Sequence, residues 1–479
     1  MRLLRCLTAA LIVGMASPII AVAATPPLEV LEKQLKELQA QIELLKQDKQ
    51  EQDRRMREIE AAEKERAAKE AEALREQAKR GEEQERKTSI LAEEMEAIKK
   101  RYILPETAEL KSAYGLGPAA SKVYQTQRGL AIGGYGEASA IFFVNDKDQP
   151  GKQRNFGDLL RFVTYIGYKF TDRIVLNSEI EFEHAKVGAT TSSGSGDGEV
   201  EFANLDFLFT DWLNFRAGLL LIPMGFLNEM HEPPTFFGNI RPEVEQRIIP
   251  STWRELGAGF HGTILPGLTY RTYAVNSLNA KGFNTANFRG ARQSGNRALF
   301  EDVAWTGRLD YSPIPGALVG GSFFWGTTGQ DQLFAGKKIN PNFTLFEFHG
   351  QYQYRGLHLR ALYAQGNLSD AAVLSADLKR SISRRLLGGY IEAAYNVLPL
   401  LWPETTMSLT PFIRFERLDT QADVPTGVTR VASNDLRVIA SGIDFKPIPN
   451  VVFKFDYRAF NAAAGKVADE VNVGLGFAF

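Results

Sequence analysis

The sequence predicts an all-β transmembrane antiparallel barrel of about sixteen strands, preceded by an N-terminal α-helical coiled coil. Three features of the chain carry this prediction. An apolar leader precedes a charged segment with a heptad pattern, the remainder alternates apolar and polar residues with a period of two, and the chain ends on an aromatic strand. Composition hides this fold, because 44% hydrophobic residues and a net charge of −1 also suit a large soluble protein.

Residues 1–23 are predicted to be a signal peptide. Two arginines precede an apolar stretch, and the small residues Ala21-Val22-Ala23 offer a cleavage site. A membrane anchor is the alternative, but the apolar run is short for a span of about 20 residues. The only cysteine, Cys6, lies in this peptide, so the mature chain is expected to have neither disulfide nor thiol nucleophile.

Residues 24–104 are predicted to form a periplasmic coiled-coil stem, followed by a linker at 105–127. Apolar residues separated by alternating steps of three and four form a heptad seam: Leu28, Leu31, Leu35, Leu38, Ile42 and Leu45. The seam weakens between residues 61 and 87, and the heptads do not fix the number of helices. A solitary charged helix or a disordered spacer is the alternative.

Residues 128–479 are predicted to form the barrel. In the strand before the turn at 171–173, Leu160, Phe162 and Ile166 are expected on one face, and Arg161 and Lys169 on the other. Similar strands recur, and seven short turns and eight long loops connect sixteen of them, which is the layout of bacterial outer-membrane barrels. The apolar faces then meet lipid. A soluble sandwich or propeller, with these faces inside, is the alternative.

The C-terminal sequence NVGLGFAF predicts how the barrel closes. Val473, Leu475, Phe477 and Phe479 alternate with small or polar residues. A closed barrel has no free edge, so this strand is expected to pair with the first strand, at 130–143. In the outer-membrane proteins that the chain resembles, a terminal strand ending in Phe is also the signal for the barrel-assembly machinery. Phe477 and Phe479 are the candidate membrane-insertion signal.

Basic residues at inward-facing strand positions are candidates for lining a pore. Rings of Arg or Lys favour anions, and a guanidinium group offers paired donors to phosphate or carboxylate. Acidic residues share these faces, so ion pairing within the barrel wall is the alternative role. The candidates are Arg161, Lys169, Arg216, Arg271, Arg308, Arg360, Arg414, Lys454 and Arg458.

The long proline-containing loop at 223–255 is expected to fold into the barrel and to set the size and selectivity of a pore. Its paired prolines, paired phenylalanines and mixed charges are typical of a folded insert. Packing outside the barrel mouth or on a neighbouring protomer is the alternative. The constriction candidates are Glu229, Glu232, Arg241, Glu243 and Arg247.

The chain resembles the phosphate-selective porin O/P superfamily, including porins with an N-terminal coiled coil. The resemblance rests on the stem, on GGYGE at 133–137, on the segment at 205–225 that runs into the long loop, and on the terminal GLGFAF. It implies a homotrimeric channel in the bacterial outer membrane, with the stem in the periplasm. The implied function is passive diffusion of small anions such as phosphate or dicarboxylates.

Enzymatic, cofactor and nucleic-acid functions are not expected. No G-x-S-x-G or H-E-x-x-H motif occurs, and the five histidines are dispersed. Glu229 and Glu232 lie near His231, but a third converging ligand is missing from this stretch, so no metal is predicted.

A structural role is the alternative function. About 75 helical residues, at 1.5 Å each, would reach ~110 Å into the periplasm. The stem would then tether the outer membrane to peptidoglycan, with the barrel as its anchor.

Overall fold

The computed structural model describes residues 111–145, 153–189 and 195–479, together with isolated positions between 32 and 89. The chain divides into two compact units, Met1–Glu96 and Ala97–Phe479. In the first unit every described position is helical and exposed. The signal peptide and the heptad seam at 28–45 lie outside the described residues, so the coiled coil stays a prediction.

Sixteen antiparallel strands close into a barrel, which confirms the predicted β fold. Each strand pairs with its neighbour in sequence, and the last strand pairs with the first. The strands are β1 (Gly129–Val144), β2 (Phe156–Thr171), β3 (Ile174–Glu183), β4 (Gly198–Leu208), β5 (Asn214–Leu221), β6 (Arg254–Leu265), β7 (Leu268–Asn276), β8 (Val303–Tyr311), β9 (Ala317–Thr327), β10 (Asn342–Tyr354), β11 (Leu357–Leu368), β12 (Arg385–Tyr395), β13 (Ser408–Asp423), β14 (Asp435–Ile448), β15 (Val451–Ala462) and β16 (Asp469–Ala478).

The connections alternate between short and long, as the sequence predicted. Seven short turns join strands at one end of the barrel, beginning with the turn between β2 and β3. The long connections contain two-residue ladders, single turns of 3-10 helix and short α-helices. Among the described residues of the barrel unit, the α-helices are α1 (Lys122–Gln125), α2 (Val244–Arg247), α3 (Ala371–Leu378) and, in a short turn, α4 (Leu398–Leu401).

The terminal residue completes the closure. Ala478 pairs with Tyr135 on β1, and the register continues along the whole of β16. Phe479 adds two further hydrogen bonds, because its N–H donates to the Gly134 carbonyl and its carbonyl accepts from the Gly134 N–H, at 2.8 and 2.9 Å. The final strand therefore pairs with the first, as predicted, and leaves no unpaired edge.

The two faces of the barrel wall differ in character. On β15, Phe453 and Phe455 are exposed on the outer face, whereas Lys454 and Asp456 are buried on the inner face. One predicted position is wrong. A bulge on β2 pairs Arg161 with Glu137 and Leu159 with Ala138, which shifts the alternation so that Leu159, rather than Leu160, is exposed on the outer face.

The interior of the barrel is occupied by packed side chains of the strands and of the long connections. Buried apolar side chains from inward strand faces and from four long connections form one large core cluster. Trp253 lies within it, with its ring centroid 4.6 Å from that of Phe324 and 5.4 Å from that of Phe288. Among the described residues, no helix has the length and hydropathy needed to span a bilayer.

Candidate functional site: the occupied lumen

The segment 222–253, here called the inward loop, lies inside the barrel. His231 contacts Glu179 on β3, Tyr390 on β12 donates to Glu245, and Asn239 donates to Asp456 on β15. These partner side chains occupy the buried face of the wall, opposite the exposed apolar face. Because the partners come from widely separated strands, the loop crosses the lumen.

Hydrogen bonds within the inward loop hold its fold. Glu245 accepts from the backbone N–H groups of Phe226 and Leu227, both at 2.8 Å. At the base of the loop, the Asn228 amide donates to the carbonyls of Ile222 and Trp253 and accepts from the Trp253 N–H. The loop is therefore an ordered insert whose backbone groups bind partners within the loop and on the barrel wall.

Glycines in β16 accommodate the inward loop. A methyl group at Gly474 would overlap the Asn239 side chain, and one at Gly476 would overlap Pro233. Both glycines lie on the inner face, where side chains of the loop approach the wall. This close approach explains why small residues alternate with apolar ones in the C-terminal strand.

A second segment, residues 111–126, also lies inside the barrel and is here called the N-terminal segment. It falls within the predicted linker at 105–127, but Leu116, Ala119 and Val123 are buried. Asn177 on β3 donates to the Ala120 carbonyl at 2.8 Å, and Lys169 donates to the Thr126 carbonyl at 3.0 Å. The segment therefore occupies the inner face of the first strands.

The N-terminal segment and the inward loop contact each other. Glu232 of the loop accepts from the N–H of Ala119 at 2.9 Å and from that of Ala120 at 3.1 Å. The strand positions beneath the segment are small: Gly133 approaches the Ala119 carbonyl, and Gly167 approaches the Val123 side chain. Gly133 and Gly167 leave room for the N-terminal segment on the inner wall. The sequence alone shows two glycines in strands, and the fold shows which residues pack against them.

Six of the nine predicted lumen bases form ion pairs with carboxylates of the described residues. Arg414 is typical, with Glu416 at 2.9 Å and Glu392 at 3.0 Å. The other pairs are Arg161 with Glu181, Arg216 with Asp206, Arg271 with Asp310, Arg308 with Asp310, and Arg458 with Glu470. The ion pairs of these six guanidinium groups stabilise the barrel wall and its contacts with the inward loop.

The remaining three predicted bases have neutral partners within the described part of the chain. Lys169 donates to a carbonyl of the N-terminal segment. Lys454 donates to two carbonyls of the inward loop, those of Phe236 and Gly238, both at 2.8 Å. Arg360 donates to the Gln351 side chain at 2.9 Å and stacks over a phenylalanine ring.

The predicted constriction residues play different structural roles. Glu229 pairs with Arg271 at 3.2 Å, Glu232 binds the N-terminal segment, and Glu243 pairs with both Arg247 and Arg458. Arg241 is buried, and its Nη2 donates to the His231 carbonyl at 3.4 Å. Its Nε and Nη1 have no hydrogen-bond partner among the described residues.

Arg289 and Arg292 are lumen bases that sequence reasoning missed. They lie in the connection between β7 and β8, and both donate to the Ser251 carbonyl at the base of the inward loop. Neither forms an ion pair within the described residues. Burial and the guanidinium groups of Arg289 and Arg254 lower the pKa of Arg292, as expected where positive charge is only partly compensated.

A cavity of about 410 Å³ lies between the N-terminal segment, the inward loop and the short-turn ends of β10 to β14. Arg360, Lys446 and His358 line it, and Lys446 donates to the Pro234 carbonyl at 2.7 Å. Glu232 is the acidic residue in its lining, and its carboxylate binds backbone N–H groups. The cavity wall therefore carries an excess of basic groups.

The closed barrel, its apolar outer face and its charged, partly filled lumen define a membrane-type β-barrel with a porin fold. OmpF of Salmonella typhi, solved in complex with daunomycin, is similar with a TM-score of 0.51 and 14% identity over 74% of this chain and 98% of that chain. The anion-selective porin from Comamonas acidovorans matches with a TM-score of 0.46 and 12% identity over 73% of this chain and 99% of that one.

The sequence comparison places the chain in a family. A protein of Aquifex aeolicus (strain VF5), described as uncharacterized, is 38% identical over 369 residues, which is 74% of this chain and 80% of that protein. The chain belongs to the same family as this protein. No protein-family model matches the chain.

Proposed function

We propose that this protein is an outer-membrane porin through which small hydrophilic solutes, preferentially anions, diffuse passively. The fold supports a channel, because a sixteen-strand barrel is wide enough for an aqueous path unless inserted chain narrows it. Here the inward loop and the N-terminal segment narrow the lumen. Small solutes, rather than large ones, are therefore the expected cargo.

The observation that carries the anion preference is the set of lumen bases without carboxylate partners among the described residues. Arg289 and Arg292 bind the Ser251 carbonyl at the base of the inward loop, and Arg241 binds the His231 carbonyl further along it. Arg360 and Lys446 line the cavity at the short-turn end. A guanidinium group pairs its donors with phosphate or carboxylate oxygens, so phosphate and dicarboxylates are the proposed solutes.

The proposal extends to the oligomeric state of the protein and its insertion into the membrane. The barrel is proposed to form a homotrimer, with outer-membrane lipid against its exposed apolar side chains and short turns towards the periplasm. Phe477 and Phe479 are proposed as the signal for the barrel-assembly machinery. Both rings lie at the end of the closing strand, with centroids 6.5 Å apart.

Neutralising Arg289 and Arg292 together is expected to lower anion selectivity. Both lie within the lumen and form no ion pair in the described structure, so Arg289→Gln with Arg292→Gln removes two positive charges that are only partly compensated. Reversal potentials across a potassium chloride gradient measure the change. The wild-type potential should have the sign for anions, and the double variant should move it towards zero or reverse it.

Arg384 provides the matched control, because its ion pair with Asp423 is exposed. Arg384→Gln should leave the reversal potential unchanged. A cation-selective wild-type channel, or an unchanged reversal potential in the double variant, would contradict the proposed anion preference.

A further inference from the structure

His231 of the inward loop lies between two carboxylates of neighbouring strands. Its Nε2 is 3.1 Å from Glu179 Oε1 on β3 and 3.4 Å from Glu201 Oε2 on β4. All three side chains are at most 2% exposed. One nitrogen and two carboxylate oxygens therefore converge on a single point in the barrel wall, with all three atoms within 4.8 Å of one another.

The other nitrogen of the His231 ring fixes the role of Nε2. Nδ1 is 3.2 Å from the Asn228 carbonyl, which can only accept a hydrogen bond, so Nδ1 carries a proton. Histidines that bind metals usually donate their second ring N–H to such a group. Nε2 then faces two carboxylates, and only a cation, either a proton or a metal ion, makes this arrangement favourable.

A single proton leaves much of the cluster unsatisfied. Glu179 Oε2 and both oxygens of Glu201 have no hydrogen-bond partner among the described residues, although they are buried. The Glu201 oxygens have only the longer ion-pair contacts with His231 at 3.4 Å and Arg254 at 3.5 Å. The hydroxyl of Tyr135, whose ring lies 5.8 Å from that of His231, is buried and also lacks a partner. Buried polar atoms without partners are costly, so these atoms indicate a missing ligand.

The charged residues around the cluster also favour a bound cation. Arg161 is shared by three carboxylates, and Arg254 is shared by two. Arg241 adds a third guanidinium group near Glu137. The carboxylates are Glu137, Glu179, Glu181, Glu183, Glu199 and Glu201. Glu179 is the carboxylate of this group that has no arginine partner among the described residues, so its charge is offset by His231 or by a bound cation.

We propose that Glu179, Glu201 and His231 bind a divalent transition-metal ion, for which Zn²⁺ is the best chemical match. Zinc binds imidazole nitrogen and carboxylate oxygen at about 2.0–2.2 Å, so tetrahedral ligands lie roughly 3.4 Å apart. The observed 3.1 and 3.4 Å separations fit that spacing. Calcium and magnesium prefer shells of oxygen alone, which the imidazole disfavours.

The ion would fasten the inward loop to the wall, because His231 belongs to the loop and its two partners belong to β3 and β4. The acidic neighbours of His231 in the sequence are not ligands. Glu229 pairs with Arg271, and Glu232 binds the N-terminal segment. The other two ligands, Glu179 and Glu201, come from strands remote in sequence, and this is why the local pattern around His231 indicated no site.

Isothermal titration of the purified, folded, full-length protein with Zn²⁺ after EDTA dialysis tests the proposal. One equivalent per chain is expected. Glu201→Gln and His231→Gln should each weaken binding by at least about 100-fold, whereas Glu229→Gln should not. Heat-modifiable migration establishes that each variant is folded. Co²⁺ added to the wild-type protein should give the intense visible absorption of tetrahedral coordination.

The Co²⁺ spectrum needs no variant, so the proposal can be refuted even if a substitution prevents folding. Absence of stoichiometric binding by the wild-type protein would overturn the site. Equal binding by wild-type protein and a folded His231→Gln variant would overturn these ligands. Binding of Ca²⁺ in preference to Zn²⁺ would overturn the metal class. None of these readouts depends on conductance, so the porin proposal stands or fails separately.

Discussion

Replacing Arg414 by methionine is expected to destabilise the barrel by about 3–5 kcal/mol. The Arg414 side chain is 1% exposed and lies between the carboxylates of Glu392 and Glu416. It also donates to the carbonyls of Phe237 and Ile240 in the inward loop, both at 3.3 Å. Its loss leaves two buried carboxylates without their cation. Urea unfolding in lipid vesicles, followed by tryptophan fluorescence, measures the difference.

An exposed ion pair supplies the control for this prediction. Arg384 and Asp423 are 55% and 36% exposed, so Arg384→Met should leave the stability of the barrel almost unchanged. Similar losses for Arg384→Met and Arg414→Met would mean that water solvates Arg414 as freely as a surface residue. Such a result would contradict a lumen filled by the inward loop.

Removing the inward loop is expected to raise single-channel conductance several-fold. The loop begins and ends at paired positions, since Leu221 pairs with Arg254 and the Ile222 N–H donates to the Trp253 carbonyl at 2.9 Å. A short turn can therefore replace residues 224–251 without breaking the barrel ladder. The widened lumen should pass more current, and planar-bilayer recording measures it.

Shortening the exposed connection at 424–434 between β13 and β14 is the matched control, because this connection contributes little to the packed lumen. It should change conductance little. An unaltered conductance in a folded, heat-modifiable variant that lacks the inward loop would show that the loop does not limit the flow of ions.

The barrel could be predicted because its signals are local. The alternation of apolar and polar residues identifies each strand, and the turn residues set the strand ends. The exception on β2 has a physical cause, since a bulge inserts one residue and exposes Leu159 in place of Leu160. The pairing of β16 with β1 followed from the need to satisfy every strand edge.

The contents of the lumen were harder to predict because they depend on contacts between residues remote in sequence. Arg458 was foreseen as facing inward, but its partners Glu243 and Glu470 come from the inward loop and the next strand. The N-terminal segment has no strong pattern, and its burial depends on glycines elsewhere. Gly133 and Gly476 mark where chain approaches the inner wall, although in the sequence they resemble ordinary strand glycines.

The single-channel conductance of the purified, full-length protein in a planar bilayer most directly tests whether this barrel is a porin narrowed by its own chain. Small stepwise openings with an anion-selective reversal potential, partly blocked by added phosphate or a dicarboxylate, are the predicted result. A folded, heat-modifiable barrel that never conducts would contradict the porin function and would mean that the inward loop and the N-terminal segment seal the lumen.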